Sequence, residues 1–251
     1  MLVFTSCNFG IKVLKKVKNK MDLLTYENKI FEAKDKESKK NNDETGNSIV
    51  IEYPLFKNQP SLNQIVKTSI INNLIDSTSS DISFNKLTEK VFENFKGEKS
   101  KEHFTFKIKA TVLNKDSSLV IIMVRGISSR SKFNFSIIKS SFINWDIKKN
   151  KLITLTDLFK SGYPCELQTR IEYILINKDS TSQLNNHILK FKHNGKVFMT
   201  DIFALTPNGL GLIYEESEFL PNKYGQEELL VPYNKIKSIT KPNTVLAQYI
   251  N

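Results

Sequence analysis

Leu119-Val120-Ile121-Ile122-Met123-Val124 is an unbroken apolar run between a turn at Asp116 and the polar Arg125. A short run of this kind, bounded by polar residues, reads as a central strand covered on both faces. Before it, Phe104, Phe106, Ile108, Ala110 and Val112 alternate with polar residues, the period of a half-buried strand. After it, Phe133, Phe135 and Ile137 alternate again. The pattern then slips by one residue near Ser140-Ser141, as a bulge would cause, and resumes at Phe142. Strands in series joined by short polar turns predict an antiparallel meander.

Upstream, Ile49, Val50 and Ile51 read as a strand running into Tyr53-Pro54. Pro60 precedes Ser61, and Gln64 follows three residues later in a capping-box arrangement. Leu62, Ile65, Val66, Ile70 and Leu74 then recur at helical spacing. A second helix carries Phe84, Leu87, Val91, Phe92 and Phe95 on one face, with Gly97 as its stop. Both stripes read as core faces.

Downstream, residues 154–159 open a short helix with Thr156 as its expected cap. Leu167, Ile171, Ile174 and Leu175 mark a longer one. Phe203 and Leu205 lead into the turn Pro207-Asn208-Gly209. Leu210, Leu212 and Tyr214 alternate beyond it, and so do Leu229, Val231 and Tyr233 after Tyr224-Gly225. The order is helices, meander, helices, hairpin. That is an α+β fold, an antiparallel meander with helices packed on it. No Pro/Gly/Ser linker divides the chain near residue 150, so residues 48–150 and 151–251 are expected to be two interlocked halves sharing one core.

The net charge is +11. Residues 1–20 hold five Lys and no acid (+5), residues 21–47 five Lys and seven acids (−2), and the remainder 27 basic and 19 acidic residues (+8). The excess is spread along the chain rather than gathered into patches with interleaved aromatics. Arg, the better reader of phosphates and bases, occurs only at Arg125, Arg130 and Arg170. Nucleic-acid binding is therefore not expected. Cys7 and Cys165 lie far apart, which argues against a disulfide framework. His103, His187 and His193 show no metal-ligand spacing, and no cofactor fingerprint is present.

No stretch reaches the length of apolar residues that a membrane-spanning helix needs. Residues 1–7, Met1-Leu2-Val3-Phe4-Thr5-Ser6-Cys7, resemble the end of a bacterial lipoprotein signal peptide: apolar residues, then small ones, then cysteine. In this reading Cys7 is the lipidation site and tethers the chain to a membrane of the bacterial cell envelope. The alternative is an ordinary apolar N-terminus with a free thiol. Residues 8–47 are polar and lysine-rich, a composition that buries little, and read as a flexible spacer.

The C-terminal half also carries a family pattern. Leu155-Thr156-Asp157-Leu158-Phe159 is followed by Phe203-Ala204-Leu205-Thr206-Pro207-Asn208-Gly209-Leu210. Residues 225–233, Gly-Gln-Glu-Glu-Leu-Leu-Val-Pro-Tyr, close the series. Order and spacing over residues 145–240 resemble the RsiV-like extracellular domain. That domain occurs in an anti-sigma factor that senses lysozyme and beside the catalytic domain of PdaC-type peptidoglycan deacetylases. Residues 48–150 resemble the companion PdaC-like domain more loosely, through Tyr53-Pro54 and Leu62-Asn63. Ser128-Ser129-Arg130-Ser131-Lys132 stands where relatives often have a Gly-Gly-Ala-His segment. The resemblance implies a non-enzymatic envelope module that binds or senses a protein or a cell-wall glycan, or an accessory to peptidoglycan modification.

Several residues admit a second reading. Asp157 is either a ligand contact or a first-turn acid favoured by the helix dipole. Pro232-Tyr233 is either a surface contact or a strand end with a half-buried aromatic. Glu215, Glu216, Glu218, Glu227 and Glu228 are either a glycosidase-like carboxylate set or a solvated hairpin rim. Cys165 is either a nucleophile awaiting a base from His187 or His193, or a small buried residue. Strongly shifted carboxylates in a deep cleft would favour an unrecognised hydrolase. A flat, apolar exposed patch would favour a binding or sensing module.

Overall fold

The structure is a computed structural model, and it describes residues 24–35, 46–74, 82–96, 103–130, 136–178, 192–193, 196–214 and 227–250. Six strands form the main sheet, in chain order: β1 (Tyr26–Lys34), β2 (Ser48–Phe56), β3 (Phe104–Lys115), β4 (Leu119–Arg130), β5 (Ser136–Asp146) and β6 (Lys151–Leu152). From β3 to β6 this is the antiparallel meander the alternation predicts. The β2–β3 pair is parallel. Helices α1 (Pro60–Leu74) and α2 (Phe84–Lys96) lie in the connection between these two strands, because parallel neighbours need a crossover and a helix is the usual one.

β4 meets two different cores. Val120, Ile122 and Val124 point into the first, with Ile49, Ile51 and Ile108 from the sheet and Leu62, Val66, Ile70, Leu87 and Val91 from α1 and α2. Leu119 and Ile121 point the other way, into a second core built by the C-terminal half. The apolar run is thus continuous because alternate residues serve opposite layers. β5 behaves alike: Ile143 and Trp145 enter the first core and Phe142 packs on the second. This two-sided burial accounts for the apparent slip at Ser140-Ser141. The β4–β5 register runs unbroken through both residues, and the irregularity in the sheet lies instead between Val112 and Asn114 of β3. Phe133 and Phe135 lie outside the described residues.

The second core is closed by α3 (Leu155–Leu158), α4 (Tyr163–Lys178), the three-stranded sheet β9 (Phe203–Thr206), β10 (Gly209–Tyr214) and β11 (Glu227–Val231), and α5 (Tyr233–Ile236). A two-stranded ribbon, β7 (Lys192–His193) with β8 (Lys196–Val197), lies between α4 and β9 in the chain. One polar side chain ties the small sheet to the large one. Asn144 on β5 is buried; its Nδ2 donates to the Phe203 carbonyl at 2.8 Å and its Oδ1 accepts from the Leu205 amide at 2.9 Å. The carboxamide reproduces the donor–acceptor pair of a neighbouring strand, so it satisfies two groups of β9 that are buried away from water.

The spacer expectation is corrected by residues 24–35. β1 pairs with β2 over all nine of its residues. Leu24 is 2% exposed within the first core, and Phe31 packs there against Phe84 at 5.6 Å between ring centroids. The Lys115 ammonium grips the Leu24 carbonyl at 2.7 Å, and the Asp35 amide donates to the Asn47 carbonyl at 3.1 Å. A charged composition misled here because an edge strand keeps one face in water and has its backbone satisfied by the neighbour. Residues 8–23 and 36–45 of the expected spacer lie outside the described residues.

The helix starts also shift. α1 begins at Pro60, whose fixed φ suits a first helical position. Its entry is held by Asn63, which accepts from the Phe56 amide and donates to the Phe56 carbonyl, both at 2.8 Å. α3 begins at Leu155, so Thr154, not Thr156, is its cap residue.

The β1 correction has a measurable consequence. The reference is a chain beginning at Leu24, measured by urea unfolding. One beginning at Ser48 should lose about 3 kcal/mol, from the burial of Leu24 and Phe31. Equal stability of the two truncations would show that β1 is dispensable.

Candidate functional site

The residues singled out by the family pattern turn out to hold the C-terminal half together. The Asp157 carboxylate accepts from the Thr154 amide and hydroxyl, both at 2.9 Å, and from the Lys151 ammonium at 2.6 Å. Partial burial works against its charged form, but the Lys151 and Thr154 hydrogen bonds and the Lys151 charge outweigh it. They hold the carboxyl at about 2. It therefore pins the start of α3 to β6. Tyr233 is buried, and its hydroxyl donates to the Thr206 carbonyl at 2.7 Å. Its ring stacks on Tyr249 at 5.4 Å with 10° between planes. Burial, with Tyr249 adding to it, pushes the Tyr233 phenol far up. Burial, with Asp116 beside it, pushes the Tyr249 phenol up to about 12. Gly209 is required by contact: a Cβ there would stand 2.5 Å from the Val231 carbonyl oxygen of β11.

Among the described residues the remaining candidates are not brought together. Cys165 is free and exposed on the first turn of α4, not the small buried residue expected, because the inward stripe of that helix starts at Leu167. His193 lies on β7, His103 is exposed ahead of β3, and His187 lies outside the described residues. Glu215, Glu216 and Glu218 also lie outside them. Glu228 sits opposite Ile213 on β11. Cys7 is outside the described residues as well. Among the described residues no group of three or more His, Cys, Asp or Glu side chains is placed to hold a metal ion. No helix among them is long and apolar enough to cross a membrane.

A groove that the sequence pattern did not flag lies on the outer face of α4. Leu167, Ile171 and Leu175 anchor the helix in the second core. Glu166, Thr169, Arg170, Tyr173 and Ile174, with Lys235 from α5, line an open groove of about 480 Å³. Tyr173 is 59% exposed and Ile176, further along the helix, 53%. Arg170 braces the groove. Its Nη1 donates to the Lys235 carbonyl at 2.6 Å, and its Nη2 to the Ser238 hydroxyl at 2.8 Å and to Glu166 at 3.4 Å. Lys235 is carried on a backbone fixed in this way, and its Nζ stands over the Tyr173 ring, 5.8 Å from the centroid.

A second surface is the part of the main sheet that the C-terminal half leaves uncovered. Register places Lys107, Ile127 and Ile138 in one row across β3, β4 and β5, and Ile30, Glu52, Lys109 and Arg125 in the next across β1 to β4. Ile30 is 66% exposed, and Ile127 and Ile138 are more than a third exposed. Lys109 pairs with Glu52 at 2.8 Å.

No family model and no curated protein matches the chain. Solved structures do. A DUF3298 family protein from Pseudomonas aeruginosa is similar with a TM-score of 0.69, over 88% of this chain and 95% of its own, at 19% identity. A member of the same family from Bacteroides fragilis is similar with a TM-score of 0.65, over 89% of this chain and 97% of its own, at 14% identity. The fold is that of DUF3298 proteins. The α+β architecture expected from the sequence is the one observed. At these identities the likeness concerns the fold alone.

Asp157 gives a pH test. Its folded value of about 2 lies below its ordinary 3.8, so the folded state favours the ionised form. The contribution is complete above about pH 4 and is lost as pH falls through about 2. Asp157→Asn should lower Tm at neutral pH, and the gap from the native chain should close towards pH 2. A gap that stays constant with pH would contradict the role given to this carboxylate.

Proposed function

We propose that this protein is a non-catalytic binding module of the bacterial cell envelope, held to a membrane by a lipid on Cys7, which recognises its ligand through the α4 groove. The observation that carries the binding role is the exposed Tyr173–Ile176 face beside Arg170 and Lys235. Aromatic and aliphatic side chains left in water next to braced cations make a ready contact surface, since water is displaced from them at little ordering cost. The envelope placement is supported by the Cys7 motif and by the RsiV- and PdaC-like resemblance. The ligand class in this reading is a cell-wall glycan, with a protein as the alternative.

Charge bears on the partner. A chain at +11 meets an anionic envelope polymer more readily than a basic lysozyme, because like charges slow encounter and oppose docking. A second reading, an accessory that docks on a peptidoglycan-modifying protein, is favoured by the open sheet face with Ile30, Ile127 and Ile138. A partly apolar patch of that kind is a common protein contact.

Sedimentation with purified cell-wall sacculi tests the reading. The full chain should co-sediment, less so as salt shortens the screening length, and Tyr173→Ala should weaken it by about tenfold. In the native host, labelled palmitate should be incorporated and lost in Cys7→Ser. Submicromolar, salt-insensitive affinity for a basic lysozyme, with no binding to sacculi, would overturn the proposal.

A further inference from the structure

We infer that the α4 groove is built for a carboxylate-bearing sugar ring, an acidic glycan residue rather than a neutral sugar or a protein side chain. This rests on the groove being the ligand site and deepens that reading. Three features of the groove, taken together, narrow the chemistry.

The first is Tyr173. Its ring is 59% exposed and borders a groove of about 480 Å³. A flat aromatic surface at the edge of a shallow groove suits the C–H face of a pyranose. The apolar ring body packs and the rim of each partner stays wet. A linear acidic side chain would leave most of that ring uncovered.

The second is Lys235. Its ammonium has no carboxylate partner among the described residues; its one contact is the face of the Tyr173 ring. A cation over an aromatic face gains from the ring's negative quadrupole and keeps its three N–H donors for an incoming acceptor. A carboxylate on a sugar seated against Tyr173 meets this ammonium directly. A neutral sugar makes no use of the charge.

The third is the division of labour between Arg170 and Glu166. Both Arg170 terminal nitrogens are spent inside the protein, on the Lys235 carbonyl, Ser238 and Glu166. Arg170 is therefore a positioning residue that holds Lys235 and Tyr173 at their spacing. Glu166 is bound to Arg170 only at the long distance of 3.4 Å and is mostly exposed. Its carboxylate is placed to accept from sugar hydroxyls. A cation for the acid group, a carboxylate for the hydroxyls and a ring for the sugar face make up one recognition set.

The experiment is a calorimetric titration of the full chain with two probes that share a ring, N-acetylmuramic acid and N-acetylglucosamine, the first carrying its carboxylate on a 3-O-lactyl group that the second lacks. The acidic sugar should bind about five-fold more tightly, the discrimination one exposed ion pair can supply, and the difference should shrink with added salt. Lys235→Met should erase the difference by weakening the acidic sugar's binding towards that of the neutral one. Tyr173→Ala should weaken both by about tenfold. Both residues are exposed, and an unchanged melt followed by Trp145 fluorescence confirms that the variants fold. Equal affinity for the two probes, or acid preference surviving in Lys235→Met, would overturn the inference. Binding to sacculi that persists while neither sugar binds would refute the sugar chemistry and leave the envelope-binding reading standing. Loss of both would remove the two together.

Discussion

Strand β4 is buried on both faces from Leu119 to Ile122. Its even-numbered residues lie in the first core and Leu119 and Ile121 in the second, so neither layer can be removed without exposing the other side of the same strand. Each fully buried Val, Leu or Ile contributes about 1.5–3 kcal/mol relative to exposure, and the run supplies five such residues to the two cores. Asn144 adds direction to this shared wall. Hydrophobic contact alone would let the small sheet slide, because apolar packing is not directional. Two hydrogen bonds of 2.8 and 2.9 Å to Phe203 and Leu205 set its register, since a slip would leave buried groups unpaired.

The binding surface depends on that wall at one remove. α4 rests on the second core through Leu167, Ile171 and Leu175, and the same core seats α5 through Tyr233 and Ile236. The two elements that form the groove are therefore fixed by a common floor. Arg170 then spans them by bonding the Lys235 carbonyl. The C-terminus joins the same arrangement: Tyr249 stacks on Tyr233 and reaches Asp116 in the β3–β4 turn at 3.4 Å. The family motifs at 155–159, 203–210 and 225–233 thus act through architecture. They carry Asp157, which binds the cap residue Thr154, the close approach at Gly209 and the Tyr233–Thr206 bond that hold the floor in place.

Much of the fold was legible because burial writes itself into periodicity. The two-sided run at 119–124, the helical stripes at 62–74 and 84–92, and the alternation at 210–214 each point to one arrangement. What escaped had no such mark. β1 looks like spacer because its side chains are mostly solvated, while its stability comes from backbone pairing and from two anchors, Leu24 and Phe31. Asn144 is a polar residue among apolar ones, and its partners are 59 and 61 residues away. The groove joins residues 65 positions apart. Its only sequence trace is Tyr173 and Ile176, which fall off the inward stripe of α4 where a solvated helix face would carry polar residues.

Native-state hydrogen exchange with the full chain tests the shared wall most directly. If the two halves are one cooperative unit, the slowest amides of α1 and β2 and those of β9 and β10 should exchange with the same opening free energy. Asn144→Ala, which leaves a buried amide and a buried carbonyl of β9 unpaired, should lower both sets by the same amount, about 3 kcal/mol. Slow amides of the first core that keep their protection while those of β9 and β10 lose theirs would contradict the account.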